Sequence, residues 1–125
     1  MNKVELPYMT IEYIEPVVYN RYTKDVVLDA EKVRDIGDAV ERVSQGKYFL
    51  LLSDIRKQID IPPEAHKIIK EELPKRKIIA NAVVVRWLAQ RLITNVYSLL
   101  VKPKHPLKVF TDEQEAMKWL LAHKP

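Results

Sequence analysis

Two apolar runs, Tyr48-Phe49-Leu50-Leu51-Leu52 and Ile78 to Val85, constrain the fold of this chain more than any other feature. Neither alternates between apolar and polar residues, as a strand with one wet face would, so each is predicted to be a strand covered on both sides. Between them, Pro62 and Pro63 pre-set the first turn of a helix, where a missing amide proton costs nothing. Ala65, Ile68, Ile69 and Leu73 supply that helix with an apolar stripe, and Pro74 stops it. Strands joined through a helix cross over right-handedly and lie parallel in one sheet. The centre of the molecule is therefore expected to be a parallel pair with helices above and below.

The flanking segments complete the pattern. From Tyr8 to Ile14, Met9, Ile11 and Tyr13 share one face against Thr10 and Glu12, and Glu15-Pro16 separates this stretch from a second strand at Val17 to Tyr22. The short join makes the two antiparallel neighbours, although no Asn-Gly or Asp-Gly pair fixes the turn. Asp29 can cap a helix whose stripe is Val33, Ile36, Val40 and Val43, and Gly46 ends it in the left-handed conformation. After Val85, the residues Leu88, Leu92, Val96 and Leu99 mark a helix running to about Leu100, and Lys102-Pro103-Lys104-His105-Pro106 cannot continue it. Leu107 to Phe110 reads as a short strand. Thr111 to Gln114 reads as a capping box opening a last helix, with Ala116, Met117, Leu120 and Leu121 inward and Glu115 and Lys118 outward. The predicted class is α/β, a mixed sheet of about five strands with four helices, in the order β-β-α-β-α-β-α-β-α.

Length and charge bound the rest. A chain of 125 residues fits a single domain and can bury roughly two-thirds of its unfolded surface. It has no cysteine, so packing and hydrogen bonds rather than disulfides must hold it. The first residues lack the basic-then-apolar pattern of a secretory signal, and no apolar run could cross a bilayer, so a cytoplasmic protein is expected. Basic residues number 21 and acidic residues 17, and the excess is concentrated from Arg56 to Lys108, with 12 Lys/Arg against 4 Asp/Glu.

Several stretches together resemble a known family. They are the strand ending Ser53-Asp54-Ile55, the proline-led helix, Asn81-Ala82-Val83-Val84-Val85, Arg91-Leu92-Ile93-Thr94-Asn95, and the ending Val109-Phe110-Thr111-Asp112-Glu113-Gln114-Glu115-Ala116-Met117-Lys118-Trp119-Leu120. Over about residues 8 to 122 the chain is similar to small bacterial STAS-like (STAS/SEC14-like) domains, which have the fold of the sporulation anti-sigma-factor antagonist. The resemblance implies a protein-binding regulatory domain, with nucleotide or lipid binding in related branches. It also implies a switch, because the antagonists are phosphorylated on Ser or Thr at the start of the helix after the third strand. Here Pro62-Pro63 stands at that place, and no hydroxyl residue occurs from Ile55 to Leu73.

Ligands of open α/β sheets gather beyond the carboxyl ends of the parallel strands. That rim is expected to collect Asp54, Arg56 and Lys57 from one loop, Arg86 and Trp87 from another, and Thr111 with Asp112 from a third. Arg86 beside Trp87 offers a charge and a flat ring for an anionic or aromatic group. The structural alternative has Asp54 capping backbone amides, Trp87 filling the core edge and the arginines solvated. Arg91 and Asn95, four apart on one helix face, are further candidates for a partner or anion.

Catalysis finds no such support. His66, His105 and His123 have no metal-ligand spacing, Gly37 and Gly46 cannot build a phosphate-cradling loop, and Ser53 beside Asp54 lacks a base and an oxyanion hole. No metal, cofactor or enzymatic activity is expected. The leading expectation is a non-catalytic regulatory or protein-interaction module, acting as a homodimer or with a partner. The rival is a binder of a small anionic, nucleotide-like or lipid-like ligand at the rim. A third reading, nucleic-acid contact through Lys75-Arg76-Lys77 with Lys67, Lys70, Lys102 and Lys104, competes with a solvated turn at a helix C-terminus.

Overall fold

A computed structural model describes residues 2–87 and 104–125 of the chain. The helix expected from Leu88 to Leu100, with Arg91 and Asn95 on it, lies outside the described residues.

One six-stranded sheet organises the molecule. Its strands are β1 (Lys3–Leu6), β2 (Met9–Ile14), β3 (Val17–Tyr22), β5 (Phe49–Asp54), β7 (Ile78–Val84) and β8 (Leu107–Phe110), in the spatial order β1-β2-β3-β5-β7-β8. The first three are antiparallel neighbours, whereas β3, β5, β7 and β8 run parallel. The two apolar runs thus lie side by side in one direction, with Leu52 opposite Ala82 and Asp54 opposite Val84. A second, two-stranded sheet pairs β4 (Val26–Val27) with β6 (Ile59–Asp60) in parallel. Among the described residues there are three α-helices, α1 (Ala30–Ser44), α2 (Pro63–Glu72) and α3 (Glu113–Leu121), and a 3-10 turn over Leu73–Lys75.

The side chains of β5 show why its sequence cannot alternate. Phe49 and Leu51 join Met9, Ile11, Val18, Val40 and Val43 in a core under α1, while Leu50 and Leu52 join Val17, Ala82, Val84, Ala116 and Leu120 in a core under α3. Pleating sends alternate residues to opposite faces, and both faces are dry. Fully burying a leucine contributes about 1.5–3 kcal/mol, so the four apolar residues from Phe49 to Leu52 are a large share of the sheet's stability. On β7, the small side chains of Ala80 and Ala82 admit α3 close to the sheet, and Val83 and Val85 form a third cluster with Leu107 and Val109.

Local chemistry sets the helix ends. The Asp29 carboxylate accepts the Lys32 amide at 2.9 Å and opens α1. At its other end Gln45, not only Gly46, takes the left-handed conformation, with φ of 54° and 71° respectively. Pro62 and Pro63 open α2 without a side-chain cap, and the chain carries Pro74 within the 3-10 turn that follows.

Five expectations are corrected. The large sheet has six strands, because Lys3–Leu6 pairs with β2 across a Pro7-Tyr8 turn that carries no glycine or asparagine signal. The small β4–β6 sheet was not expected, since two-residue strands have no periodicity to read. Tyr48 is not part of β5 and is 67% exposed. Thr111 does not cap α3: Asp112 does, its carboxylate accepting the Glu115 amide at 3.2 Å. Leu121 is exposed rather than inward.

Truncating Leu50 to alanine is expected to lower unfolding free energy in urea by about 2–5 kcal/mol. Tyr48→Ala, which removes an exposed ring beneath the Lys77 ammonium, is expected to cost less than about 1 kcal/mol. Equal losses at the two positions would contradict the burial described for β5.

Candidate functional site at the carboxyl rim of the sheet

The parallel register places Arg21, the fifth residue of β3, directly beside Asp54, the last residue of β5. Both lie on the face that α3 covers, in phase with Val17 and Tyr19 on β3 and with Leu50 and Leu52 on β5. Arg56 follows two residues after Asp54, and Glu113 is the first residue of α3. These four side chains meet in one cluster.

Each carboxylate is met by two guanidinium groups. Arg21 donates to Glu113 through both terminal nitrogens, Nη1 to Oε1 and Nη2 to Oε2, each at 2.7 Å, and Nη1 also reaches Asp54 Oδ2 at 3.2 Å. Arg56 clasps Asp54 with Nε to Oδ1 at 2.9 Å and Nη2 to Oδ2 at 2.7 Å, while its backbone amide donates to Oδ1 at 3.2 Å. Arg56 Nη2 then links to Glu113 Oε1 at 3.2 Å. Paired parallel N–H···O bonds are the geometry that suits guanidinium to carboxylate and the stronger class of such contacts. The group carries two positive and two negative charges and is neutral as a unit.

Electrostatics follow from that arrangement. Burial opposes the Asp54 charge, but hydrogen bonds from the Arg56 side chain and amide, with the charges of Arg56 and Arg21, outweigh it and hold the carboxyl below its ordinary value. Hydrogen bonding from Arg21 lowers Glu113 in the same way against the cost of burial. The Glu113 and Asp54 contacts push the Arg21 and Arg56 guanidinium groups further toward the protonated form. Both carboxylates are therefore ionised near neutral pH and bound by guanidinium groups, which makes them weak proton acceptors. The neighbouring hydroxyl is also committed: Ser53 Oγ donates to Asn81 Oδ1 at 2.9 Å.

The expected site residues are thus placed unequally. Asp54 and Arg56 come together, and they recruit Arg21 and Glu113, which the sequence analysis did not single out. Arg86 and Trp87 follow β7 on the same rim, where Arg86 stacks over the Trp87 ring at 5.5 Å. Trp87 is 57% exposed, so it does not fill the core edge. No hydrogen bond or ion pair joins Arg86 to the four-residue cluster among the described residues. Lys57 and Thr111 are absent from the cluster, and Asp112 is spent on the α3 cap.

Among the described residues no three His, Cys, Asp or Glu side chains converge as metal ligands. His105 is half-buried and burial pushes its pKa down, His66 lies in α2, and His123 stacks on Trp119 with ring centroids 4.4 Å apart. Trp119 in turn packs against Phe110 at 5.7 Å, which gives the aromatic ending of the chain a role in holding α3 to β8. No described helix is long and apolar enough to cross a membrane.

The cluster yields a pH dependence whose sign is fixed. Because Asp54 and Glu113 are lowered in the folded chain, their contribution is complete above their ordinary values of 3.8 and 4.5 and is lost as pH falls through the lowered ones. Asp54→Asn is expected to cost about 1–3 kcal/mol near neutral pH, a figure reduced for the solvent reaching both arginines. The difference from the parent chain is expected to shrink in urea melts below about pH 4. A difference that stays constant down to acid pH would contradict the ionised cluster.

Comparison with known proteins agrees with the fold. A crystal structure of an uncharacterized protein from the DUF3478 family with a SpoIIAA-like fold, from Shewanella loihica PV-4, superposes with a TM-score of 0.62 at 18% identity, covering 94% of this chain and 98% of that one. That likeness establishes a SpoIIAA-like, and so STAS-like, mixed α/β fold. A search of curated proteins found no match. A family model described as a domain of unknown function (DUF7793) matches residues 9–124, and the chain belongs to that family.

Proposed function

We propose that the chain is a single-domain, non-catalytic module that acts through protein contacts at the carboxyl rim of its sheet, with a partner or a second copy of itself. One observation carries this reading: the two carboxylates brought together at the rim are consumed by Arg21 and Arg56. General acid–base chemistry is best served by a group whose pKa lies near the working pH, and both carboxylates here are held below their ordinary values. What the rim offers outward is an indole with a guanidinium stacked on it. Trp and Arg are the residue types that most often dominate binding energy at protein interfaces. Arg91 and Asn95 are proposed as additional contact residues.

The proline start of α2 bears on regulation. A helix N-terminus favours phosphate through its free amides and dipole, but Pro62 and Pro63 supply neither hydroxyl nor amide proton there. The contact is therefore proposed to be controlled by something other than phosphorylation at that helix. A small anion at the rim is less well supported, since it would have to displace Asp54 or Glu113 from their arginines. Nucleic-acid contact through residues 75–77 is less well supported too. Lys75 pairs with Glu72 at 3.4 Å, Arg76 turns toward a cavity and Lys77 lies over Tyr48, so the three do not form one phosphate-tracking stripe.

Trp87→Ala tests the reading because the ring is exposed and its removal should leave the fold intact. Sedimentation of the purified protein and pull-down from its native cytosol are expected to show self-association or a stoichiometric partner. Trp87→Ala is expected to weaken that association by roughly tenfold or more with little change in thermal midpoint. A strict monomer without a partner, or an association indifferent to Trp87, would sink the proposal.

A further inference from the structure

On the opposite face of the sheet, under α1 and α2, lies a cavity of about 180 Å³. Its walls are hydrocarbon: Leu28, Val33, Val40, Phe49, Leu51 and Ile69 contribute, and apolar surface dominates the lining. Polar side chains interrupt it. Asn20 and Tyr22, on β3, line the cavity, and Asn20 Oδ1 is itself enclosed by protein with no hydrogen-bond partner among the described residues. Arg76 and Glu72 lie on the α2 side. Glu72 is paired with Lys75, and no ion pair of Arg76 is found among the described residues.

Gly37 leaves room for the Arg76 guanidinium. It lies in the interior of α1, where glycine costs roughly 1 kcal/mol relative to alanine. A Cβ on Gly37 would collide with Arg76 Nη2 and crowd its Cζ at 3.4 Å, so the guanidinium lies against the bare helix backbone. The glycine thereby permits a close approach that sets a cation beside an apolar cavity. A guanidinium with no ion-pair partner among the described residues, set beside an apolar cavity, favours an anion.

We propose that this cavity binds a small amphipathic carboxylate, its hydrocarbon body between α1 and β5 and its carboxylate on Arg76. Size limits the body: a dry cavity of about 150 Å³ admits benzene, so 180 Å³ suits roughly six to seven carbons. The site is independent of the rim and of the contacts proposed there.

Phenylacetate and phenylacetamide are the probes, read by thermal midpoint and by calorimetric titration of the full chain. Phenylacetate is expected to bind and raise the midpoint with concentration, and phenylacetamide to bind at least about tenfold more weakly. Arg76→Gln is expected to erase the preference for the carboxylate over the amide. Gly37→Ala separates ligand binding from folding, because it should leave the free protein as stable or more so while displacing the guanidinium and abolishing the same preference. Failure of phenylacetate to bind, or equal binding of acid and amide, would overturn the proposal. So would a carboxylate preference that survives in both Arg76→Gln and Gly37→Ala.

Discussion

The forked contact between Arg21 and Glu113 ties the last helix to the sheet. Ninety-two residues separate the two in sequence, and they meet because β3 ends where α3 begins. Helix α3 alone covers Leu50, Leu52, Ala82 and Val84 among the described residues, so the position of its first turn decides how well that face is sealed. Asp54 and Arg56 extend the contact to the end of β5 and balance its charge. The same four residues stand where an α/β sheet would ordinarily place a ligand, and they fill that position with a neutral lattice of hydrogen bonds.

Periodicity made most of the architecture legible. The unbroken runs of β5 and β7 announced strands buried on two sides, and the stripes of α1 and α3 announced the helices that bury them. What escaped detection has little or no period. β4 and β6 are two residues each, and β1 contributes only Val4 and Leu6 to the core while Lys3 and Glu5 pair outside it. The site was half legible. Asp54 and Arg56 stood out because they close an apolar strand, whereas Arg21 looked like one polar residue in a short edge-type strand. Its phase was the available signal: it shares the parity of Val17 and Tyr19 and so had to face α3. Glu113 was concealed by the capping pattern around it, in which Asp112 is the true cap.

The two faces of the sheet are built differently. Where α3 meets the carboxyl rim every carboxylate of the cluster is matched by a guanidinium, and the exposed feature of that rim is Trp87 with Arg86 over its ring. On the α1 face Gly37 leaves space for an arginine beside a hydrocarbon cavity. The three side chains of the basic stretch at residues 75–77 take three separate surroundings. A charge run that suggests one extended surface in sequence is thus divided among a turn, a cavity and an aromatic ring.

The most direct test of the central claim is a double-mutant cycle on Arg21→Met and Glu113→Gln, read as unfolding free energy in urea near neutral pH. If the fork fastens α3 to the sheet, the two losses will be non-additive, with a coupling of about 1 kcal/mol or more. Simple additivity would show that the two side chains do not hold one another, and the account of the rim as a closed structural clamp would fail.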